Sequence, residues 1–262
     1  MESELRRALA FEEALRERCA ERIVPFRFGR VVFNDTFRSV YDLNVLRVDQ
    51  PEGATTETLA AEAERLHGEA GQPHRRIVVP DEKAGERLAS GFRELGWKSG
   101  RFLVMAWRGR GERTGDASIV EEVAAEDQRS LRERIVAAEP WAESPEVVQA
   151  VVDSALVIAE AGRARHFGLR VDGEVVSATD LYSDGRTAQV EDVATSPEHR
   201  GKGYASALVV RAVMEAERAG HDFVFLVADD EDWPKELYAR LGFAPLGRKW
   251  AFLRPPAPAA PA

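Results

Sequence analysis

Apolar positions along the chain switch repeatedly between a period of two and a period near 3.6, and this alternation predicts a mixed α/β fold. Residues 2–22 carry Leu5, Leu9 and Leu15 at helical spacing and predict a helix ending before Pro25. Residues 26–33 and 40–48 predict strands around Asn34-Asp35, and a helix over 56–67 is capped by Thr55 or Thr56. A strand (76–79), a helix (82–95) and a strand (101–107) follow. Beyond the glycine and charge cluster RGRGERTG at 108–115 come a strand (118–123) and helices over about 127–138 and 145–161. Ser144 caps the second helix, with Pro145 at its first position. Strands over 165–171 and 175–182 predict a hairpin across Asp172-Gly173, and Ser183-Asp184-Gly185 turns the chain into a strand over 187–195. A long helix after residue 203, a strand (223–228), a short helix and a last strand (248–253) complete the pattern.

Composition narrows the classes. The chain has 262 residues and is 44% hydrophobic, enough for one large or two ordinary domains. Its apolar runs are too short to span a membrane, and its charged start is no signal peptide, so a cytoplasmic location is expected. Cys19 is the single cysteine, which excludes an intramolecular disulfide and a cysteine metal cluster. The five histidines (His67, His74, His166, His199, His221) form no H-x-x-x-H pair, so no metal is expected. Of 45 acidic and 36 basic residues, 19 of each fall within residues 1–112, so the net charge of −9 belongs wholly to the second half. That acidity argues against nucleic acid as a partner and favours a cationic acceptor, though solubility explains it as well.

Residues 187–219 organise the second half. A strand passes through Ser196-Pro197-Glu198 into Arg200-Gly201-Lys202-Gly203, and a helix striped by Ala205, Leu208, Val209, Ala212, Val213 and Ala216 follows at once. Two glycines there let several N–H groups converge beside the positive end of the helix, where phosphate binds. The spacing is wrong for a nucleotide P-loop, because the lysine lies between the glycines and Tyr204 follows. It is also wrong for a dinucleotide fingerprint, whose third glycine is replaced by Ser206.

The order R-x-x-G-x-A (Arg200 to Ala205), preceded by Val193-Ala194-Thr195-Ser196-Pro197, resembles the acetyl-CoA loop of the GNAT superfamily of N-acetyltransferases. Downstream, Leu237-Tyr238-Ala239-Arg240-Leu241-Gly242-Phe243 resembles that family's L-Y-x-x-L-G-F helix. Strand, helix, strand, helix, Leu95-Gly96-Trp97 and strand repeat the same order in the first half, so an internal repeat is suspected. An unrelated small α+β domain is the competing reading. The corresponding loop, Asp49-Gln50-Pro51-Glu52-Gly53, has two acids and no basic residue, and its carboxylates would repel phosphate. The expected architecture is α/β (α+β), with two GNAT-like domains, each a mixed, mainly antiparallel sheet flanked by helices. A degenerate domain is expected over residues 1–110, a catalytic domain over 116–254 and a disordered Pro/Ala tail over 255–262.

The resemblance implies acetyl-CoA as cosubstrate, an amine of a small molecule or peptide as acceptor, and direct attack in a ternary complex. It assigns acetyl-CoA binding to Val193, Ala194, Thr195, Arg200, Gly201, Lys202, Gly203, Tyr204, Ala205 and Ser206. Tyr238 matches the family's general acid; packing against the CoA arm is its other reading. Glu231 stands where the family often has an asparagine, and Trp233-Pro234 begins the helix, so the pantetheine contacts of that turn are open. Glu191 is the first candidate for the base, acting through a water, with Asp192 second and water alone as a further option. Strand alternation places Glu191 on the face of Gln189, Val193 and Thr195. The loop over the acceptor implies contacts from Trp141, Glu139 and Glu143, and Tyr182 is a further candidate. A non-catalytic acyl-CoA sensor or scaffold is the alternative function, and a monomer or homodimer is expected.

Overall fold

The computed structural model describes residues 2–109, 111–112, 114–142 and 144–256. Glu143 and most of the expected tail, residues 257–262, lie outside them. The fold is mixed α/β, with seven α-helices among the described residues around mostly antiparallel strands. Two compact units form: one from residues 2–15, 104–228 and 232–246, the other from 16–103, 229–231 and 247–256. Neither is a single stretch of chain, because α1 (Glu2–Cys19), β5 (Lys98–Trp107) and β11 (Phe243–Arg254) each contribute residues to both.

In the smaller unit, β1 (Arg22–Phe26) and β2 (Gly29–Phe33) form a hairpin, and β2 pairs antiparallel with β3 (Val45–Val48). The expected helix over 2–22 therefore stops three residues early, and Pro25 sits in edge strand β1, where a missing N–H costs no ladder bond. The expected strand over 26–33 is broken by this turn. Gly29 is needed there because a Cβ would lie 2.1 Å from the Arg47 carbonyl oxygen. The expected strand over 40–48 begins instead as a 3-10 turn, Tyr41–Leu43. β3 runs parallel to β4 (Arg75–Val79) across α2 (Thr56–Glu69), whose cap is Thr55 in a reciprocal box with Thr58. Helix α3 (Glu82–Glu94) follows, and β11 pairs antiparallel with β4. Phe33, Leu46, Leu59, Ile77, Phe92 and Phe252 are at most 1% exposed and form the core.

The larger unit begins with a short strand, β6 (Glu121–Glu122), after a 3-10 turn at Ala117–Ile119, where a longer strand is expected. Helix α4 (Arg129–Ala137) follows a 3-10 turn (Ala125–Gln128), and α5 (Pro145–Ala161) has its Ser144 Oγ accepting from the Val147 N–H. Strands β7 (Arg165–Val171) and β8 (Glu174–Ser183) turn at Asp172 (φ 51°) and Gly173 (φ 87°), as an Asp-Gly hairpin requires. β8 pairs antiparallel with β9 (Thr187–Thr195). After α6 (Tyr204–Arg218), β10 (Phe223–Asp229) pairs parallel with β9, and α7 (Pro234–Leu241) precedes β11. Of the six stripe residues on α6, five are buried at no more than 1% exposure, and Ala205 is half-buried. The start of α1 belongs to this unit as well: Phe11 meets Phe225 edge-on at 5.6 Å, and the Arg7 Nε donates to Thr187 Oγ1 at 2.9 Å.

The order strand, helix, strand, helix, strand thus occurs twice, as β3-α2-β4-α3-β5 and as β9-α6-β10-α7-β11, each with a parallel first pair.

Candidate active site

The larger unit opens a cleft of about 620 Å³ where β9 and β10 part. Their registered pairs run from Thr187/Phe223 to Gln189/Phe225, while Val193, Ala194 and Thr195 farther along β9 line the cleft. Between these stretches the strand bulges. Asp180 pairs with Glu191 and Ala178 with Ala194, so Asp192 and Val193 together face Thr179, and Asp192 takes φ 53°.

The bulge corrects the expectation from alternation. An inserted residue exchanges the faces beyond it, so Glu191 shares its face with Gln189 and Ala194 rather than with Val193 and Thr195. Two bonds agree: Gln189 Nε2 donates to Glu191 Oε2 at 2.5 Å, and Thr195 Oγ1 lies 2.7 Å from Ser177 Oγ on the opposite face.

The floor of the cleft is the glycine turn. Gly201 (φ 77°) and Gly203 (φ 83°) are both left-handed, with nothing within 4 Å of an added Cβ, so glycine is required there for its backbone freedom alone. Gly203 is also the N-cap of α6 and supplies no side-chain acceptor to the helix's first N–H groups. A helix start left in this way suits an anion. Arg200 lies beside it, its Nε donating to the Thr195 carbonyl at 3.3 Å. Of the ten residues expected to bind acetyl-CoA, nine line this cleft; Lys202 is exposed and lies outside the lining. Sequence reasoning missed Ile135, His199, Trp233, Leu237 and Arg240 in the same lining.

Tyr238 lines the cleft from α7 and is 9% exposed. Burial, then the charge of Glu191, pushes its pKa up to about 12. Tyr182 is 4% exposed and is raised well above the ordinary phenol value by burial, then by Asp192, Asp180 and Glu191, against the opposing pull of Arg132. Glu191 is half-buried, and its charge is felt by both phenols. Neither Tyr182 nor Glu191 belongs to the cleft lining itself, and nor do the other acceptor-side candidates, Trp141, which is 39% exposed, and the exposed Glu139.

A charge cluster that sequence reasoning did not find lies on the Glu191 face. Asp180 has no exposed surface; its Oδ1 is 2.8 Å from His166 Nδ1, and its Oδ2 accepts from Arg132 Nη2 at 2.6 Å. Arg132 also donates to Asp192 Oδ2 at 2.5 Å and to Gln128 Oε1 at 2.8 Å. Burial alone would lower the Arg132 pKa, but Asp192 and Asp180 outweigh it and keep the guanidinium charged. The signal was Asp180 itself, an acid inside the apolar run VVSATDLY, which must find partners when buried.

Residues 126–243 match the model of the Acetyltransferase (GNAT) family, so this stretch is a GNAT acetyltransferase domain, and the family uses acyl-CoA for acyl transfer. Solved structures agree on the fold. A functionally unknown conserved protein from Staphylococcus epidermidis ATCC 12228 is 17% identical, with a TM-score of 0.70 over 91% of this chain and 95% of its own. A GCN5-related N-acetyltransferase from Kribbella flavida is 20% identical, with a TM-score of 0.63 over 97% and 96%. A tandem GNAT protein from the clavulanic acid biosynthesis pathway is 16% identical, with a TM-score of 0.51 over 82% and 76%. No curated protein matches the sequence. Among the described residues no helix is long and apolar enough to cross a membrane, and no group of three or more His, Cys, Asp or Glu side chains could hold a metal ion.

Proposed function

We propose that the chain transfers an acetyl group from acetyl-CoA to an amine of a small molecule or peptide, by direct attack in a ternary complex. The observation that carries this reading is one cleft joining the uncapped, glycine-started helix α6 to the buried phenol of Tyr238. The N–H groups of Gly203 to Ala205, with Arg200, would hold the diphosphate, and the backbone of Val193 to Thr195 would take the pantetheine arm and polarise the thioester carbonyl.

The reaction needs one proton removed and one supplied. Starting from the neutral amine, Glu191, bonded to Gln189, takes through a water the proton that the attacking nitrogen must lose to become an amide, and Tyr238 gives its phenolic proton to the departing thiolate. A phenol raised to about 12 still carries that proton at neutral pH. Of the two carboxylates considered as base, Asp192 is bound to Arg132, which leaves Glu191 the better candidate.

The smaller unit is proposed to lack this activity. Its corresponding helix start is already capped by Thr55 and Thr58, and a Cβ on Gly91 would lie 2.5 Å from Thr56 Oγ1, so α3 covers that end closely. Asp49, in the corresponding loop, accepts from Arg47 and Arg30 rather than leaving those cations for phosphate.

Thiol release from acetyl-CoA in the presence of a panel of primary amines tests the proposal. Turnover with at least one amine is expected. Tight CoA binding without turnover would instead indicate a sensor or scaffold.

A further inference from the structure

We infer that Arg132 is a positioning residue for acetyl transfer, acting through Asp192 to hold the β9 bulge that aims Val193 to Thr195 into the cleft. The inference rests on the proposed acetyl-CoA site. Among the described residues three non-glycines have positive φ: Arg163 follows α5, Asp172 is in a hairpin turn, and Asp192 lies within a strand. Aspartate tolerates the left-handed conformation better than most residues, but such a residue persists only where its surroundings hold it.

Here the holding group is the Arg132 guanidinium. One edge is anchored on the fully buried Asp180 carboxylate at 2.6 Å, and its other terminal nitrogen reaches Asp192 at 2.5 Å. Asp180 is itself fixed from behind by His166 at 2.8 Å, and Arg132 is braced by Gln128. The clamp therefore connects helix α4, strand β8 and the bulge through a planar fork that lysine cannot reproduce.

Two consequences link it to the chemistry. Val193, directly after Asp192, begins the segment lining the cleft, and Ile135, one turn after Arg132, lines the same cleft. Loss of the bulge would restore simple alternation and turn Val193, Ala194 and Thr195 onto the wrong faces. The clamp would thus set where the thioester carbonyl is received without touching it.

Asp192→Asn is the main test, because asparagine also tolerates positive φ and the Asp180–Arg132 bond stays intact; Arg132→Lys is the second. Hydrogen exchange of the Val193–Thr195 amides in the ligand-free protein is expected to rise at least about tenfold in Asp192→Asn, with the Arg132→Lys variant intermediate. By calorimetry, CoA affinity should stay within about twofold, while any preference for acetyl-CoA over CoA falls by about fivefold, the value of one hydrogen bond. With the best amine of the panel, kcat should fall by about 10- to 100-fold at nearly constant KM for acetyl-CoA. Wild-type exchange in both variants overturns the clamp whatever the wild type does with acetyl-CoA. Wild-type protein that binds neither CoA nor acetyl-CoA would sink the functional reading, and the exchange experiment would still judge the clamp.

Discussion

Gly203→Ala separates backbone freedom from steric room at the anion site. Gly203 holds φ 83°, ψ 4° as the N-cap of α6, and no atom lies within 4 Å of an added Cβ. The substitution therefore has no clash term. An L-residue held in the left-handed region loses about 1–2 kcal/mol, while the stiffer unfolded chain returns about 0.4–1 kcal/mol. The net expected loss is about 1 kcal/mol in urea unfolding. Gly242→Ala is the internal control: φ is 118°, but the Cβ would lie 1.9 Å from the Gly109 carbonyl oxygen, so its loss should be clearly larger. If the Gly203 variant relieves its strain by rotating the turn, at least one N–H leaves the diphosphate. Losing a hydrogen bond to a charged group costs about 1.5–3 kcal/mol, so calorimetry should show acetyl-CoA affinity reduced about 10- to 100-fold. A variant more stable than wild type, with unchanged affinity, would refute the argument, since that result requires a compatible negative φ at residue 203.

Three further outcomes are expected. Tyr238→Phe should lower kcat by about 100-fold with little change in acetyl-CoA affinity; an equal loss in both would make Tyr238 a packing residue. Because its pKa is pushed up to about 12, the wild-type rate profile should show no alkaline fall from this group below about pH 11. Arg200→Glu places a like charge at the proposed diphosphate and should weaken CoA binding by at least tenfold, more so at low salt; unchanged affinity would remove the loop assignment. In the smaller unit, burial lowers the pKa of both His67 and His74 to about 4. Their stabilising effect is complete above the unfolded value near 6.5 and is lost as pH falls towards 4, on the order of 3 kcal/mol for a shift of this size. Acid titration should show unfolding across that window, and His67→Gln should flatten it.

The sequence carried the parts of the fold whose signals are local. Ser144-Pro145, Asp172-Gly173 and the stripe on α6 each place an element boundary or a buried face through the chemistry of neighbouring residues, and the structure has them at those positions. The loop at 200–205 was legible for the same reason. What could not be seen depends on distant partners. The turn at Gly29 is set by the Arg47 carbonyl, and the bulge at Asp192 is a relation between two strands that no period within one strand reveals. Because face assignment propagates along a strand, that single unseen residue also misplaced Val193 and Thr195 relative to Glu191. Trp141 and Glu139, assigned to the acceptor by family likeness alone, stand outside the cleft lining, as do Tyr182 and Glu191.

The divided membership of α1, β5 and β11 bears on how the protein is made. Residues 2–15 leave the ribosome before the rest of the larger unit, yet Phe11 packs on Phe225, which is synthesised more than 200 residues later. At about 5–20 residues per second that partner is some ten seconds or more away. The smaller unit waits longer still, because the portion of β11 that pairs with β4 is made after Phe225. Synthesis order and completion order are thus uncoupled, and a gene fragment starting at residue 104 would encode a larger unit whose Phe225 keeps the stacked ring of Phe223 but has lost the edge-on ring of Phe11.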